Sequence, residues 1–330
     1  MVRQYKQEAY QESLRKAHEG LVHPVLTCAR LTRKCNIKCD YCSEIYVKTG
    51  SDLGFDDWKR VADTVYNLGN RDFVITGGEP LLKNYVSDLV EYVASRDTLV
   101  TVATNGYLLT KKTLSEFDSG GLDFLCISID HIERDDKPQF GKKLDQSMRT
   151  ILKSISQGDF GFQTQISTVV TKYNMGEIPE MVDYFSSLGI PTKLMIMIVN
   201  DINQEATRDL SLRGELDSIR ALSTTLQEMK RKGALLIDDD FTLDRLTQFF
   251  SGNFSYNCNG GAFDLSINND GRLVICPNGV IVDTNILDLI SVEDYHRFVE
   301  ENKAFTDNCP GCLWSHKQRL EEVILGVDKK

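Results

Sequence analysis

The sequence predicts an α/β protein: a partial barrel of six β/α units, followed by a small C-terminal domain built on a β-hairpin and helix. Three observations predict it. Six runs rich in β-branched or apolar residues alternate with segments of helical periodicity. The distinctive short motifs of the first half fall just after those runs. Past Gly233 the alternation stops and a hairpin signature replaces it.

A helix is expected over residues 5–18, then a first strand over 25–31. The next helix, 56–68, carries Trp58, Val61, Val65 and Leu68 at helical spacing. Strands at 73–76, 99–104, 124–129, 163–171 and 193–199 are separated by helices at 85–94, 111–117, 144–155 and 177–188. Gly69, Gly120, Gly158 and Gly189 stand just after helical runs, where a left-handed residue is expected to stop the helix. Such alternation specifies a parallel sheet with right-handed crossovers. An open sheet and a barrel both satisfy it. Motifs gathered at the carboxyl ends of the strands favour the barrel, whose functional face lies there. Residues 209–232 read as a long, mostly exposed helix leaving the barrel, and alternation over 265–275 brackets an Asn-Asp-Gly turn. The boundary is placed near Gly233, giving domains 1–233 and 234–330.

Composition narrows the functional classes. A length of 330 residues allows one large core and a smaller second domain. A net charge of −10 argues against a nucleic-acid partner. No apolar run is long enough to span a bilayer, and the polar first 23 residues exclude a secretory signal. A cytoplasmic location with reduced thiols is therefore expected. Nine cysteines in such a protein point to metal.

Cys28 and Cys126 lie inside strand runs and read as small buried apolar residues. Seven remain. Cys35, Cys39 and Cys42 fall within eight residues, and Cys258, Cys276, Cys309 and Cys312 follow in the last quarter. Thiolates hold iron–sulfur clusters, and three without a near fourth would leave one iron open to a small molecule. A zinc site completed from a distance is the alternative.

The CxxxCxxC spacing, with aromatic Tyr41 before the last cysteine, resembles the radical SAM superfamily, in which S-adenosylmethionine occupies the open iron. The resemblance implies a TIM-like partial (β/α)6 barrel. Gly77-Gly78-Glu79-Pro80 looks like the family motif that meets the methionine end of the cofactor. Glycine backbone can approach a ligand closely, and a carboxylate or carbonyl there can accept from the cofactor's ammonium. Asn105, Ser128 and Asp130 fit the strand ends that hold the ribose and methionine portions. His131 reads as an exposed loop histidine or a substrate contact. Arg134, Lys137 and Tyr256 read as surface or packing residues, with substrate contact as the alternative.

Cys258 and Cys276 flank the hairpin, and Cys309-Pro310-Gly311-Cys312 closes the set. This resembles the twitch domain, a short relative of the SPASM domain, which carries one auxiliary [4Fe-4S] cluster. A zinc ribbon from the same four cysteines is the alternative. Two [4Fe-4S] clusters and S-adenosylmethionine are thus implied, with a reductant such as flavodoxin or ferredoxin. The implied chemistry is reductive cleavage of the cofactor to a 5′-deoxyadenosyl radical that abstracts hydrogen from a substrate C–H. The order of the auxiliary cysteines is similar to that of the aminocyclitol dehydrogenases in this group. It implies two-electron oxidation of a small hydroxylated molecule, with the auxiliary cluster accepting an electron. A peptide-modifying enzyme and an epimerase using Cys126 or Cys28 remain open, as does a zinc-stabilised binding protein without radical chemistry. A molybdenum-cofactor cyclase is disfavoured by the cysteine order and by the ending Val327-Asp328-Lys329-Lys330 in place of paired glycines.

Overall fold

Each apolar run forms a strand, and the strands join one sheet. The computed structural model describes residues 3–44, 47, 49–133, 141–197, 210–252, 258, 260–276 and 280–308. Helix α1 (Gln4–His18) precedes β1 (Leu26–Arg30), α2 (Phe55–Asn67), β2 (Asp72–Thr76), α3 (Val86–Ala94), β3 (Leu99–Thr104), α4 (Lys111–Ser119) and β4 (Phe124–Ser128). A ribbon of β5 (His131–Ile132) and β6 (Lys143–Leu144) leads to α5 (Gln146–Gln157), β7 (Gln163–Val170), α6 (Ile178–Ser187) and β8 (Thr192–Ile196). Helices α7 (Leu216–Arg231) and α8 (Asp240–Phe250) come next. Strands β9 (Asp264–Ile267), β10 (Arg272–Cys276) and β11 (Val280–Asn285) and helix α9 (Val292–Asp307) complete the described elements.

The sheet order is β11-β10-β9-β1-β2-β3-β4-β7-β8. From β1 to β8 every pairing is parallel, the arrangement of a partial (β/α)6 barrel. Alternation within each strand sorts the two faces. Phe73 and Ile75, Val100 and Val102, and Leu125 and Ile127 are buried with Val61 and Val65 of α2, Leu89 of α3 and Leu114 of α4 in one core. The intervening Thr76, Ala103 and Ser128 point to the other face, where the site lies.

The hairpin extends this sheet. Strand β9 pairs in parallel with β1, from Leu26 opposite Asp264 to Ala29 opposite Ile267, and β10 returns antiparallel to β9. The pairing covers what would otherwise be an open edge of backbone donors and acceptors.

Several local expectations change. Helix α7 starts at Leu216, after Gly214 in a left-handed conformation (φ +89), and is not mostly exposed. Its Ile219, Leu222 and Leu226 form a stripe buried with Val182, Leu194 and Leu243. Helix α8 was not anticipated; its Asp239 cap accepts from Thr242 N at 2.8 Å. Leu236 bridges to Thr192, and Asp238 Oδ2 accepts from Leu194 N at 2.7 Å, so residues 235–238 run along the β8 edge while α8 packs against α7. Gly69 and Gly189 do adopt positive φ, but after α4 it is Gly121 rather than Gly120 that does, and Gly158 is extended. His131 is buried in the ribbon rather than exposed in a loop. Among the described residues no helix is long and apolar enough to cross a membrane.

Helix α1 is tied under the sheet by one buried ion pair. Lys6 Nζ lies 2.7 Å from Asp123 Oδ2, both side chains almost fully enclosed, and the same oxygen accepts from Val100 N at 2.9 Å. Lys6→Met leaves that carboxylate without its cation and is expected to cost about 3–5 kcal/mol of stability. Denaturant unfolding checks it; a loss below about 1 kcal/mol contradicts the pairing.

Candidate active site

The loop after β1 is built as a continuation of the sheet. Leu31 N donates to Thr76 O (2.9 Å), Gly78 N to Thr32 O (2.7 Å) and Glu79 N to Lys34 O (2.8 Å). Gly77 and Gly78 are needed for this approach. A Cβ on Gly78 would lie 2.2 Å from Lys34 O, and one on Gly77, at φ +141, would lie 2.5 Å from Thr32 O. The glycine pair therefore lets the segment after β2 press against the entry to the cysteine loop.

A cavity of about 170 Å³ opens at the carboxyl ends of β1 to β4. Cys35, Cys39 and Cys42 line it together with Tyr41, Gly77, Gly78, Asn105 and Ser128. Residues from four strand ends, separated by up to 93 positions, thus meet in one hollow. Asn105 Nδ2 holds the loop by donating to Asn36 Oδ1 at 2.7 Å, with Cys35 Sγ at 3.6 Å.

Two carboxylates expected to face the cofactor lie inside the wall. Glu79 is 0% exposed; its Oε1 accepts from Thr104 Oγ1 (2.7 Å) and Leu81 N (3.0 Å), and its Oε2 from Asn105 N (2.8 Å). Asp130, also 0% exposed, accepts on Oδ2 from Tyr41 hydroxyl (2.5 Å) and from Lys142 N (3.0 Å) and Nζ (3.3 Å). Its Oδ1 accepts from Val169 N at 3.0 Å. Both organise the residues that line the cavity. Glu79 braces the Asn105 backbone, and Asp130 braces Tyr41.

Sequence reasoning missed Lys142 and Glu44. Lys142 is the single cation among the described residues lining the cavity, and its Nζ also donates to the Tyr41 hydroxyl and sits 4.9 Å from that ring. Burial works against its charge, but Asp130 and the thiols of Cys39 and Cys42 outweigh it and hold the pKa above the usual lysine value. Nothing in the local pattern marks it, because it reaches the site only through the β5–β6 ribbon. Burial pushes the Cys39 thiol up to about 11 and raises Cys42. Ligation as thiolates therefore displaces protons.

The donor set fits an iron–sulfur cluster. Among the described residues no three Cys, His, Asp or Glu side chains converge on a position for one ion. The three thiols instead line a common hollow, as suits a cluster in which each thiolate takes a different iron. Cys35, Cys39 and Cys42 form no disulfide. Cys276 ends β10, the strand that returns antiparallel to β9 with Val274 opposite Ser266. Cys258 is half-buried, while Cys309 and Cys312, like Arg134, Lys137 and Tyr256, lie outside the described residues.

A six-unit parallel barrel fragment, with a three-thiol loop at the carboxyl end of its first strand, is the architecture of iron–sulfur enzymes that initiate radical reactions. The chain belongs to the radical SAM superfamily, whose family profile matches residues 30–211. Membership implies S-adenosylmethionine and a [4Fe-4S] cluster as cofactors. The chain is 23% identical over 321 residues to an AdoMet-dependent heme synthase of Nitratidesulfovibrio vulgaris, covering 87% of this chain and 84% of that protein. It is 22% identical over 219 residues to a PqqA peptide cyclase of Granulibacter bethesdensis; the match covers 65% of this chain but spans only 58% of the cyclase's length. The crystal structure of Streptococcus suis SuiB bound to precursor peptide SuiA superposes with a TM-score of 0.64 at 18% identity, covering 92% of this chain and 75% of SuiB. That likeness establishes a shared fold.

Proposed function

We propose that this radical SAM enzyme carries out a two-electron oxidation of a substrate held over the carboxyl ends of β1 to β4. The single observation that carries the reading is the cavity in which Cys35, Cys39 and Cys42 meet Gly77, Gly78, Asn105 and Ser128. Held there by Cys35, Cys39 and Cys42, a [4Fe-4S] cluster with S-adenosylmethionine would supply radical chemistry for hydrogen abstraction from a substrate C–H. The chain's own residues bind and orient. The three cysteines ligate, Gly77 and Gly78 offer backbone to the methionine end, and Asn105 and Ser128 face the rest of the cofactor. Tyr41 is fixed by Asp130 and Lys142, and Glu79 and Asp130 act from within the wall.

A substrate radical next to a hydroxyl becomes a ketone when it loses a proton and an electron. Cys258, Cys276, Cys309 and Cys312 are proposed to hold an auxiliary [4Fe-4S] cluster, which would supply an acceptor for that electron. A small hydroxylated molecule is the substrate class we favour. A peptide is the second reading, supported by the peptide substrates that the names of SuiB's partner and the PqqA cyclase record. Flavodoxin or ferredoxin is proposed as the reductant.

Iron, sulfide and zinc per chain, measured on anaerobically reconstituted protein, test the auxiliary site. About eight irons support two clusters. About four with one zinc remove the proposed electron acceptor and make the C-terminal site structural. Cys309→Ala and Cys312→Ala are expected to keep cleaving the cofactor while product formation stops. Normal product yield from either variant means turnover does not use that cluster.

A further inference from the structure

The tip of the C-terminal hairpin reaches the cysteine loop. Arg33, two residues before Cys35, pairs through Nη1 with Glu44, two residues after Cys42. The pair closes the neck of the loop that carries all three thiols, and Arg30 Nε adds a bond to the other Glu44 oxygen at 3.2 Å. The opposite edge of the Arg33 guanidinium is held by Asn268, 235 residues later in the chain. Asn268 Oδ1 accepts from Arg33 Nε at 2.8 Å and from Nη2 at 2.5 Å. Its Nδ2 donates to Asp270 Oδ1 at 3.0 Å, which fixes the amide with its oxygen towards the arginine. Asn268 is fully buried, and its backbone is set by bonds to Arg272 O and from Gly271 N.

A guanidinium is a rigid planar fork, so a group that grips one edge sets the direction of the other. We propose that Asn268 is a positioning residue for the cluster bound by Cys35, Cys39 and Cys42. Acting through Arg33 on Glu44, it holds the loop neck so that the three thiols face one cavity. The proposal rests on those cysteines holding the S-adenosylmethionine-binding cluster. It assigns a part in that site to a residue beyond the matched segment 30–211, on the strand pair that ends in Cys276. Partners one shell behind a metal's ligands, when removed, typically cost about 10–100-fold in metal affinity.

The test uses the full chain, reconstituted anaerobically, as parent, Asn268→Ala, Arg33→Lys and the double variant. The reduced protein is titrated with S-adenosylmethionine by electron paramagnetic resonance, since only a cluster with an open iron changes its spectrum on binding. Iron loss to a chelator is followed alongside. Asn268→Ala is expected to weaken the titration and speed loss of that cluster by about tenfold, leaving the unresponsive signal unchanged. The double variant should be no worse than the poorer single. Parent-like titration and chelation in Asn268→Ala overturns the proposal, as do effects that simply multiply in the double variant. If Asn268→Ala fails to fold, Arg33→Lys carries the test: it keeps the charge but lacks the fork, and parent-like behaviour overturns the proposal equally. A responsive signal that survives alanine at Cys35, Cys39 and Cys42 sinks the cluster assignment and this proposal with it. A signal lost there but unaffected by Asn268→Ala sinks this proposal alone.

Discussion

Alanine at Cys35, Cys39 or Cys42 is expected to abolish reductive cleavage of S-adenosylmethionine. Each thiol lines the same cavity, so none has a substitute among the described residues that line it. Losing one leaves a second iron without a protein ligand, and the distinction that reserves a single iron for the cofactor disappears. With all three replaced, the iron count should fall by about four per chain. The measurement is 5′-deoxyadenosine formed under dithionite, with iron determined on the same sample. Full cleavage by any one variant would overturn the assignment.

Gly78→Ala is expected to lower cofactor cleavage by about a hundredfold, the penalty of displacing a reacting group by roughly an ångström. The added carbon would meet Lys34 O at 2.2 Å, Lys34 C at 2.6 Å and Arg33 O at 2.8 Å. All three are backbone atoms, so no side-chain rotation relieves the contact and the cysteine loop itself must move. Gly176→Ala is the matched control: nothing lies within 4 Å of a carbon added there. Cleavage at the parent rate in Gly78→Ala would show that the glycine pair does not press on the loop.

The strands were legible because buried parallel strands are short, nearly continuous apolar runs, and here each is punctuated by turn residues. Expected bounds such as 99–104 coincide with β3, and the other strands differ by a few residues at their ends. The residues that share the cavity were legible too, since a motif at a parallel strand's carboxyl end must face the same side as its neighbours. What the pattern concealed was contact between distant segments. A sequence shows that Glu79 and Asp130 are carboxylates, but not that their oxygens are consumed by Thr104, Asn105, Tyr41 and Lys142. Glycine at 77 and 78 suggested close approach to a ligand, and the nearest obstacle is the protein's own loop. The pairing of β9 with β1 had no local signature, because an exposed sheet edge is a property of the assembled fold.

That last pairing orders events during synthesis. The chain emerges from its first residue onward at about 5–20 residues per second, so 235 positions separate Arg33 from Asn268 by roughly ten to fifty seconds. Through that interval β1 waits with one flank uncovered, and the cysteine loop exists without the turn that closes on it. Iron delivered early would meet an unfinished cradle. Iron delivered after the ninth strand has docked would meet the completed one.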